Sequence, residues 1–451
     1  MVVKRRGVLL LMTLPLLLGG LIIIGAAQSV FAAEVGLSPP TREVLSNGMR
    51  LIIQEHYAAD VVALYLFVGV GVRDEDPTRL GDSHFQEHML FKGTDSQGPG
   101  FVDRAVEGVG GRSNANTSLD YTYFSLVLPV EEAAKGIRIL ADMAFRSKFD
   151  PVELEREREV IFEEGRILTD TPRAALVRGV YGLAFRDHPY GRPLLGTPET
   201  LKAATRERIV AYYKQHYVPD NMALVVVGPV TPDAVRGVVG RTFGKVVATG
   251  YKRAAVPPLR PLTGVIRQEV KRPEQQAYLA LGWQAPATAA PESFAVDLLV
   301  SILGGTESSR LARRLRDRER LVSRIKMGYG ALEDAGIVSV RATLEAGDLE
   351  KVERLILEEI ERIQESGVTE DERELALTTF EAEHAFDTET VEGLAFNYGV
   401  AEMTWTLEAE LQYVERLRQV TREQIREAAR RYLPRTKYAR LAFVPRQGGM
   451  R

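Results

Sequence analysis

Hydrophobic and polar residues follow two rhythms along the chain. Met49, Leu51 and Ile53 alternate after a Ser46-Asn47-Gly48 turn, Val61 to Val70 is a largely apolar run, and Thr122 to Leu128 is rich in aromatic and β-branched residues. A period of two, or a short apolar run bounded by turn residues, is what a strand needs to bury one or both faces. Residues 133–145, 150–168, 349–365 and 369–384 instead carry apolar positions at helical spacing with charges between them, which gathers the apolar side chains on one side of a helix. Asp150-Pro151 is a start signal, because the acid can accept free N–H groups of the first turn and proline fits the first helical position. Strands and helices mixed in this way predict an α+β fold in which an antiparallel sheet is covered by helices.

Between Val246 and Thr263 both rhythms stop, and the chain runs through Gly250, Lys252-Arg253 and Val256-Pro257-Pro258-Leu259-Arg260-Pro261. Such a segment is extended and lacks regular hydrogen bonding, so residues 246–263 read as a linker. It separates two stretches of similar length, 33–245 and 264–451, whose ends match. Thr205-Arg206-Glu207-Arg208-Ile209 is followed by Tyr217-Val218-Pro219 and the strand Ala223 to Val227. Thr421-Arg422-Glu423-Gln424-Ile425 is followed by Tyr432-Leu433-Pro434 and the strand Ala439 to Val444. The shared order predicts a duplication, with the α+β unit occurring twice.

Composition narrows the chemistry. With 451 residues, 45% hydrophobic and 26% charged, the chain can bury a sizeable core and is neither disordered nor fibrous. The formal charge of −3, from 58 Lys+Arg against 61 Asp+Glu, gives no basic excess that would mark a nucleic-acid binder. The absence of cysteine excludes disulfides, thiolate metal ligands and a cysteine nucleophile, so any metal site falls to His, Asp and Glu. At the start, Lys4, Arg5 and Arg6 precede an uncharged apolar run from Gly7 to Ala27, which ends in Val30-Phe31-Ala32. Residues 1–32 therefore read as a secretory leader cut after Ala32, with a retained membrane anchor as the alternative. Either places the working part outside the cytoplasm, periplasmic or secreted.

Two of the six histidines stand in His84-Phe85-Gln86-Glu87-His88. On a helix, positions i and i+4 share a face, so both imidazoles can converge on one metal while the carboxylate between them reaches the same small volume. This is the inverted zinc-protease pattern H-x-x-E-H. A hydrolytic zinc site needs three protein ligands, an open position and a nearby base. His84 and His88 suit the ligands and Glu87 the base. The acid-rich helix over 150–168, with Glu157 and Glu164 seven apart and nearly on one face, is the obvious source of the third ligand. His56, His188, His216 and His384 read as structural or surface residues.

With these motifs in place, the chain resembles the pitrilysin-like (M16) metallopeptidases, which include the mitochondrial processing peptidases and shorter bacterial relatives. Glu157-Arg158-Glu159-Val160-Ile161-Phe162-Glu163-Glu164 fits the family's E-R-x-V-I-x-x-E at the expected distance. Met89 to Thr94, Gly110 to Thr117, His188-Pro189-Tyr190-Gly191 and Gly196-Thr197 agree as well. The resemblance implies that Glu164 is the third zinc ligand and Glu157 a supporting acid, and that one zinc ion is held per chain. It also implies that Asn114 and Ala115 lie on an edge strand to which an extended substrate adds. The fold it implies is two similar domains forming half of a clam shell. In the second domain, Leu303 to Leu311 and Leu315-Arg316-Asp317 resemble the family's Gly-rich turn and following helix, which makes Arg316 a substrate contact.

One position departs from the family. Active relatives carry a Tyr seven residues after that Arg, where this chain has Ser323. A serine reaches less far than a phenol, and a missing oxyanion donor costs several kcal/mol of transition-state stabilisation. The expectation is a zinc endopeptidase acting on peptides or unfolded segments, as a homodimer or as the zinc-bearing subunit of a heterodimer with an Arg/Tyr-bearing partner. The competing readings are a non-catalytic scaffold subunit of a peptidase-like complex and a small-molecule or metal-carrying binding protein. Zinc is favoured by the His/carboxylate donors, although cobalt or manganese can occupy such sites in vitro.

Overall fold

The computed structural model describes residues 39–446, which belong to one compact unit. The expected leader lies outside the described residues. In chain order, the first half comprises β1 (Thr41–Val44), β2 (Arg50–Glu55), β3 (Val61–Val68), α1 (Asp82–Leu90), α2 (Phe101–Glu107), β4 (Arg112–Thr117) and β5 (Thr122–Pro129). It continues with α3 (Ala133–Arg146), α4 (Pro151–Asp170), α5 (Pro172–Ala184), α6 (Pro198–Lys202), α7 (Arg206–His216), β6 (Met222–Gly228) and α8 (Pro232–Arg241). After a stretch without regular elements come β7 (Ile266–Arg272), β8 (Ala277–Ala285), α9 (Ser293–Val300), β9 (Val322–Ala331) and β10 (Gly336–Leu344). The chain closes with α10 (Leu349–Ser366), α11 (Glu370–Asp387), α12 (Val391–Thr404), α13 (Leu407–Leu411), α14 (Tyr413–Arg418), α15 (Arg422–Tyr432) and β11 (Ala439–Pro445).

The two sheets are built alike. The first runs β1-β2-β6-β3-β5-β4 and the second β7-β11-β8-β10-β9. If β1 is set aside, each sheet has the same chain order and the same pairing sense. The last strand of each half inserts between the first two, parallel to one (β6 to β2, β11 to β7) and antiparallel to the other (β6 to β3, β11 to β8). All other pairs are antiparallel, so each sheet contains one parallel pair that the expectation of an antiparallel sheet did not include. Strand patterning shows which face is buried and carries no record of a partner contributed from the far end of a half. The matched sequence endings correspond to α7–β6 and α15–β11. Thr205 and Thr421 occupy equivalent N-caps there, their side chains accepting from Arg208 N and Gln424 N.

One face of each sheet is covered by helices of its own half. Phe85 and Met89 of α1, Ile137 and Leu140 of α3, Ile161 of α4 and Ile209 of α7 pack with Leu64, Leu66 and Leu224 of the first sheet. Leu299, Val352, Ile356 and Ile425 do the same for the second. The opposite faces are closed by exchange. Helix α5 of the first half lies on the second sheet through Leu176, Val180 and Ala184 against Ala280, Ile337 and Leu441. Helix α12 of the second half lies on the first sheet through Leu394, Ala395 and Tyr398 against Tyr65, Phe67 and Val225. Glycine permits both approaches, since a Cβ at Gly282 would stand 2.7 Å from Val180 and one at Gly399 would stand 1.9 Å from the Phe67 ring. Ion pairs across the halves add orientation: Arg42 grips Glu402 with two hydrogen bonds of 2.9 and 2.7 Å, and Arg73 reaches Asp334 at 2.7 Å. The exchange ties α4–α5, and with it one wall of the metal centre described next, to the second sheet.

Candidate metal centre

Helix α1 is largely buried, polar residues included. Its first N–H groups have no partner within the helix; Gly81 N and Ser83 N donate instead to the buried Glu75 carboxylate at 2.9 and 2.8 Å. Gly81 adopts a left-handed φ of 92°, and a Cβ there would meet the Leu195 carbonyl at 2.7 Å. Further along, Asp82 pairs with Arg208 at 2.6 Å, Ser83 Oγ meets Tyr212 Oη at 2.7 Å, and Gln86 Nε2 donates to the Ile209 carbonyl. With one face locked in this way, His84, Glu87 and His88 are presented on the other in fixed orientation. Helix α4 runs alongside, anchored by the buried Arg158, which donates to the Leu201 and Ala204 carbonyls.

Glu164 of α4 faces the two histidines. Its Oε2 lies 3.6 Å from His84 Nε2 and 3.5 Å from His88 Nε2, and the three ligand atoms fall within 4.8 Å of one another. Ligand atoms at the corners of a tetrahedron with bonds near 2.1 Å are separated by about 3.4 Å, so the two His–Glu164 separations already match those of a zinc site. His88 Nδ1 is 2.9 Å from Glu157 Oε2, and the other oxygen of Glu157 accepts from Lys92 Nζ at 2.7 Å. A carboxylate behind a ligand histidine fixes its tautomer and leaves Nε2 free for the metal. His84 Nδ1 is buried with no such partner.

The electrostatics agree with this division. Burial, together with the neighbouring His88, pushes His84 down to about 3, so it is a neutral donor at any ordinary pH. Burial also works against charge on His88, but the hydrogen bond to Glu157 and the fields of Glu164 and Glu87 outweigh it and raise its pKa. Glu157 is held below the usual carboxylate range: burial, the largest influence, is overcome by the hydrogen bonds from His88 and Lys92. Glu87 is shifted upward by burial, against a hydrogen bond from Thr117. Thr117 Oγ1 donates to Glu87 Oε2 at 2.7 Å, and Thr117 is the last residue of β4, an edge strand of the first sheet.

Comparison with known proteins identifies the lineage. Residues 50–198 match the family model described as insulinase (peptidase family M16), and residues 203–380 match the one described as peptidase M16 inactive domain. The chain belongs to peptidase family M16. Among its M16 relatives, an uncharacterized zinc protease of Bacillus subtilis is 30% identical over 338 residues, covering 74% of this chain and 80% of that one. Another, from Mycobacterium leprae, is 31% identical over 358 residues, covering 78% and 79%. The fold is shared with a protease from Helicobacter pylori, at TM-score 0.86 and 23% identity over 91% of this chain and 100% of the other. It is shared also with a peptidase M16 inactive domain from Pseudomonas fluorescens, at TM-score 0.84 and 16% identity over 92% and 99%.

The first M16 match contains His84, Glu87, His88, Glu157 and Glu164, whereas the second covers Arg316 and Ser323. Asn114 and Ala115 lie on β4, three and two residues before Thr117. Asn114 is exposed, and its side-chain oxygen accepts from Ala115 N at 2.9 Å. Arg316 sits in a π-helical segment, Ala312–Arg318, and is engaged by Glu307 and by Asp317 at 2.8 Å, without contact to the metal cluster. Ser323 is the extra residue of a β-bulge, because Arg324 and Val322 pair with Thr343 and Leu344 while Ser323 is skipped. Its hydroxyl bonds to the Thr343 carbonyl at 3.3 Å. Thr117 and Lys92 were not assigned a role from sequence. Lys92 follows His88 by four positions and Thr117 closes the Gly110–Thr117 motif, so position relative to the motifs was the available signal.

Proposed function

We propose that this chain is a zinc-dependent endopeptidase that cleaves peptides or unfolded polypeptide segments. The reading is carried by one juxtaposition: three zinc-competent atoms converge beside a half-buried carboxylate, Glu87, held by the terminal residue of an edge strand. His84, His88 and Glu164 would hold the ion, and Glu157 would orient His88. When bound, zinc supplies Lewis acidity, lowering the pKa of a water and polarising a carbonyl.

The chain's own groups account for the rest. An extended peptide adds to β4 by backbone hydrogen bonds along Asn114 and Ala115, which brings its scissile bond to the Thr117 end and so to Glu87. Glu87 takes a proton from the attacking water as the oxygen adds to the carbonyl carbon, then returns that proton to the amine nitrogen as the C–N bond breaks. Thr117 keeps the accepting oxygen of Glu87 in place through both transfers. A folded domain cannot offer free backbone to an edge strand, which restricts substrates to flexible chains.

The same proposal includes export, from the leader at residues 1–32, and work as a dimer, with a second copy or a different family subunit supplying the donor that Ser323 does not. The test is turnover of quenched fluorescent peptides by the purified chain, with Glu87→Gln as blank, zinc quantified and mass measured in the same samples. Turnover that disappears in the blank supports the reading. Turnover undiminished in Glu87→Gln excludes Glu87 as the base, and one zinc per chain without turnover under any pairing favours the scaffold alternative.

A further inference from the structure

The second sheet is covered unevenly by the helix it receives from the first half. Helix α5 closes over β8 and β11, and its cover ends at its first turn, near Leu176. Beyond that point the same face of the sheet continues along β10 and β9 and carries Arg341, Thr343, Arg324 and Lys326. Alternation fixes this side, because Ile325, Met327, Val340, Ala342 and Leu344 point the other way into the core. Together with Arg173 of α5 and Tyr278 of β8, these residues line a cleft of about 270 Å³.

Its charge is uncompensated. Arg341 stands directly across the ladder from Lys326, and Thr343 across from Arg324; like charges facing across a strand pair are unfavourable. Among the described residues, Arg173, Arg324, Lys326 and Arg341 have no ion-pair partner, and Arg341 Nε is buried without a hydrogen-bond acceptor. Elsewhere in the same half, many arginines are matched, among them Arg310 with Glu372 at 2.6 Å, Arg314 with Glu359 at 2.8 Å and Arg440 with Glu353 at 2.7 Å. A chain whose acids outnumber its bases overall therefore leaves four cations together around one cleft. A cleft of one sign focuses the field and concentrates oppositely charged ligands.

We propose that this cleft binds the carboxylates of an acidic peptide segment, and thereby gives the peptidase a preference for substrates with Asp or Glu at alternate positions. The assignment rests on the peptidase reading above. Two features select a peptide over a small free anion. Arg324 and Lys326 are two apart on β9, so they are spaced by about 6.7 Å along the strand, the interval between same-side residues of an extended chain. Moreover, β9 is an edge strand of its sheet, with one backbone edge open to pairing. The cleft is also joined to the metal centre by continuous structure: from Glu164 to the end of α4 at Asp170 is roughly 9 Å of helix, and Arg173 stands in the first turn of α5 immediately after.

The experiment compares quenched peptides carrying two Glu at alternate positions with their Gln isosteres, using the zinc-loaded full chain. The expected kcat/KM ratio of acidic to isosteric peptide is about tenfold or more, declining as salt is raised. In the double variant Arg324→Gln/Lys326→Gln and in Arg341→Gln the ratio should fall toward one. Binding of a labelled acidic peptide to Glu87→Gln protein, read by fluorescence anisotropy, separates the two readings. Affinity that depends on Arg324 and Lys326 upholds the cleft even if the wild type cleaves nothing, and then only the peptidase reading fails. Turnover with equal kcat/KM for both peptides, in wild type and variants alike, overturns the cleft and leaves the peptidase standing. Displacement of the labelled peptide by inorganic phosphate at concentrations where free Glu-containing peptide has no effect overturns the peptide assignment in favour of a small-anion site.

Discussion

Thr117 and Glu87 are thirty residues apart in the chain and 2.7 Å apart in the fold, a hydroxyl donating to one oxygen of a half-buried carboxylate. The contact joins the end of an edge strand to the middle of the histidine helix, so the element that would receive a peptide also orients the group that would move its proton. Thr117 itself is 2% exposed, which leaves its hydroxyl little freedom to bond elsewhere.

Replacing Thr117 by valine keeps the branched shape that a strand favours and removes only the donor. We expect kcat on an unstructured peptide to fall by about tenfold, with KM and zinc content unchanged. Steady-state kinetics alongside metal analysis reads all three. An unchanged kcat with full zinc would remove Thr117 from the catalytic arrangement, whereas a drop in zinc content would assign it a structural role.

Glu157 stands behind His88, and Lys92 stands behind Glu157. Losing a carboxylate of this kind typically weakens metal affinity by about 10–100-fold. Glu157→Gln should show a loss of that size in competition with a chromogenic chelator. Lys92→Met should show a smaller one, since Glu157 then keeps His88 but loses its second partner. Wild-type affinity in Glu157→Gln would mean that the helix packing alone orients His88.

Legibility in the sequence followed how local each signal was. Strands β2, β3 and β5 and helices α3, α4 and α10 could be read because each buries one face or one run, and periodicity records that. Helix α1 could not be read in this way, since its polar residues are buried against Glu75, Tyr212 and Ile209; only the H-x-x-E-H spacing marked it. The parallel strand of each sheet and the exchange of α5 and α12 depend on partners far along the chain. The site divides along the same line: the spacing His84-x-x-Glu87-His88 is intrahelical and visible, whereas Thr117 joins it through strand pairing. Arg173 lines one cleft with Arg324 and Arg341 only because α5 crosses to the other half.

The exchange itself can be tested at Gly399 of α12. Alanine is ordinarily the better helix former, by about 1 kcal/mol. Here, however, the added Cβ would lie 1.9 Å from Phe67 Cε2, and Phe67 is fully buried in the first sheet. Gly399→Ala should therefore lower stability by about 1–3 kcal/mol, the usual cost of overpacking, measured by urea denaturation. Combining it with Phe67→Leu should cost less than the sum of the two single changes, because the smaller side chain vacates the space the methyl needs. Strict additivity would show that α12 shifts away from β3 instead of pressing on it.

Asp297 of α9 provides a pH-dependent handle on the second half, remote from the candidate metal ligands in sequence. Burial pushes its carboxyl up to about 7, opposed by a hydrogen bond from the Tyr413 hydroxyl, which reaches Asp297 Oδ2 at 2.9 Å. The unfolded chain releases this proton near pH 4, so between about pH 4 and 7 the folded state binds more protons than the unfolded one. Its contribution to stability is therefore fully present below pH 4, is lost as pH rises toward 7, and stays absent above. Asn keeps an oxygen for Tyr413 and never ionises. Asp297→Asn should accordingly gain on the wild type as pH rises, ending more stable by on the order of 1–3 kcal/mol at pH 8. Thermal unfolding of both proteins from pH 5 to 8 isolates the group, because other titrating residues cancel in the difference. A constant difference across that range would mean that Asp297 stays ionised in the fold, with the Tyr413 hydroxyl sufficient to hold its charge.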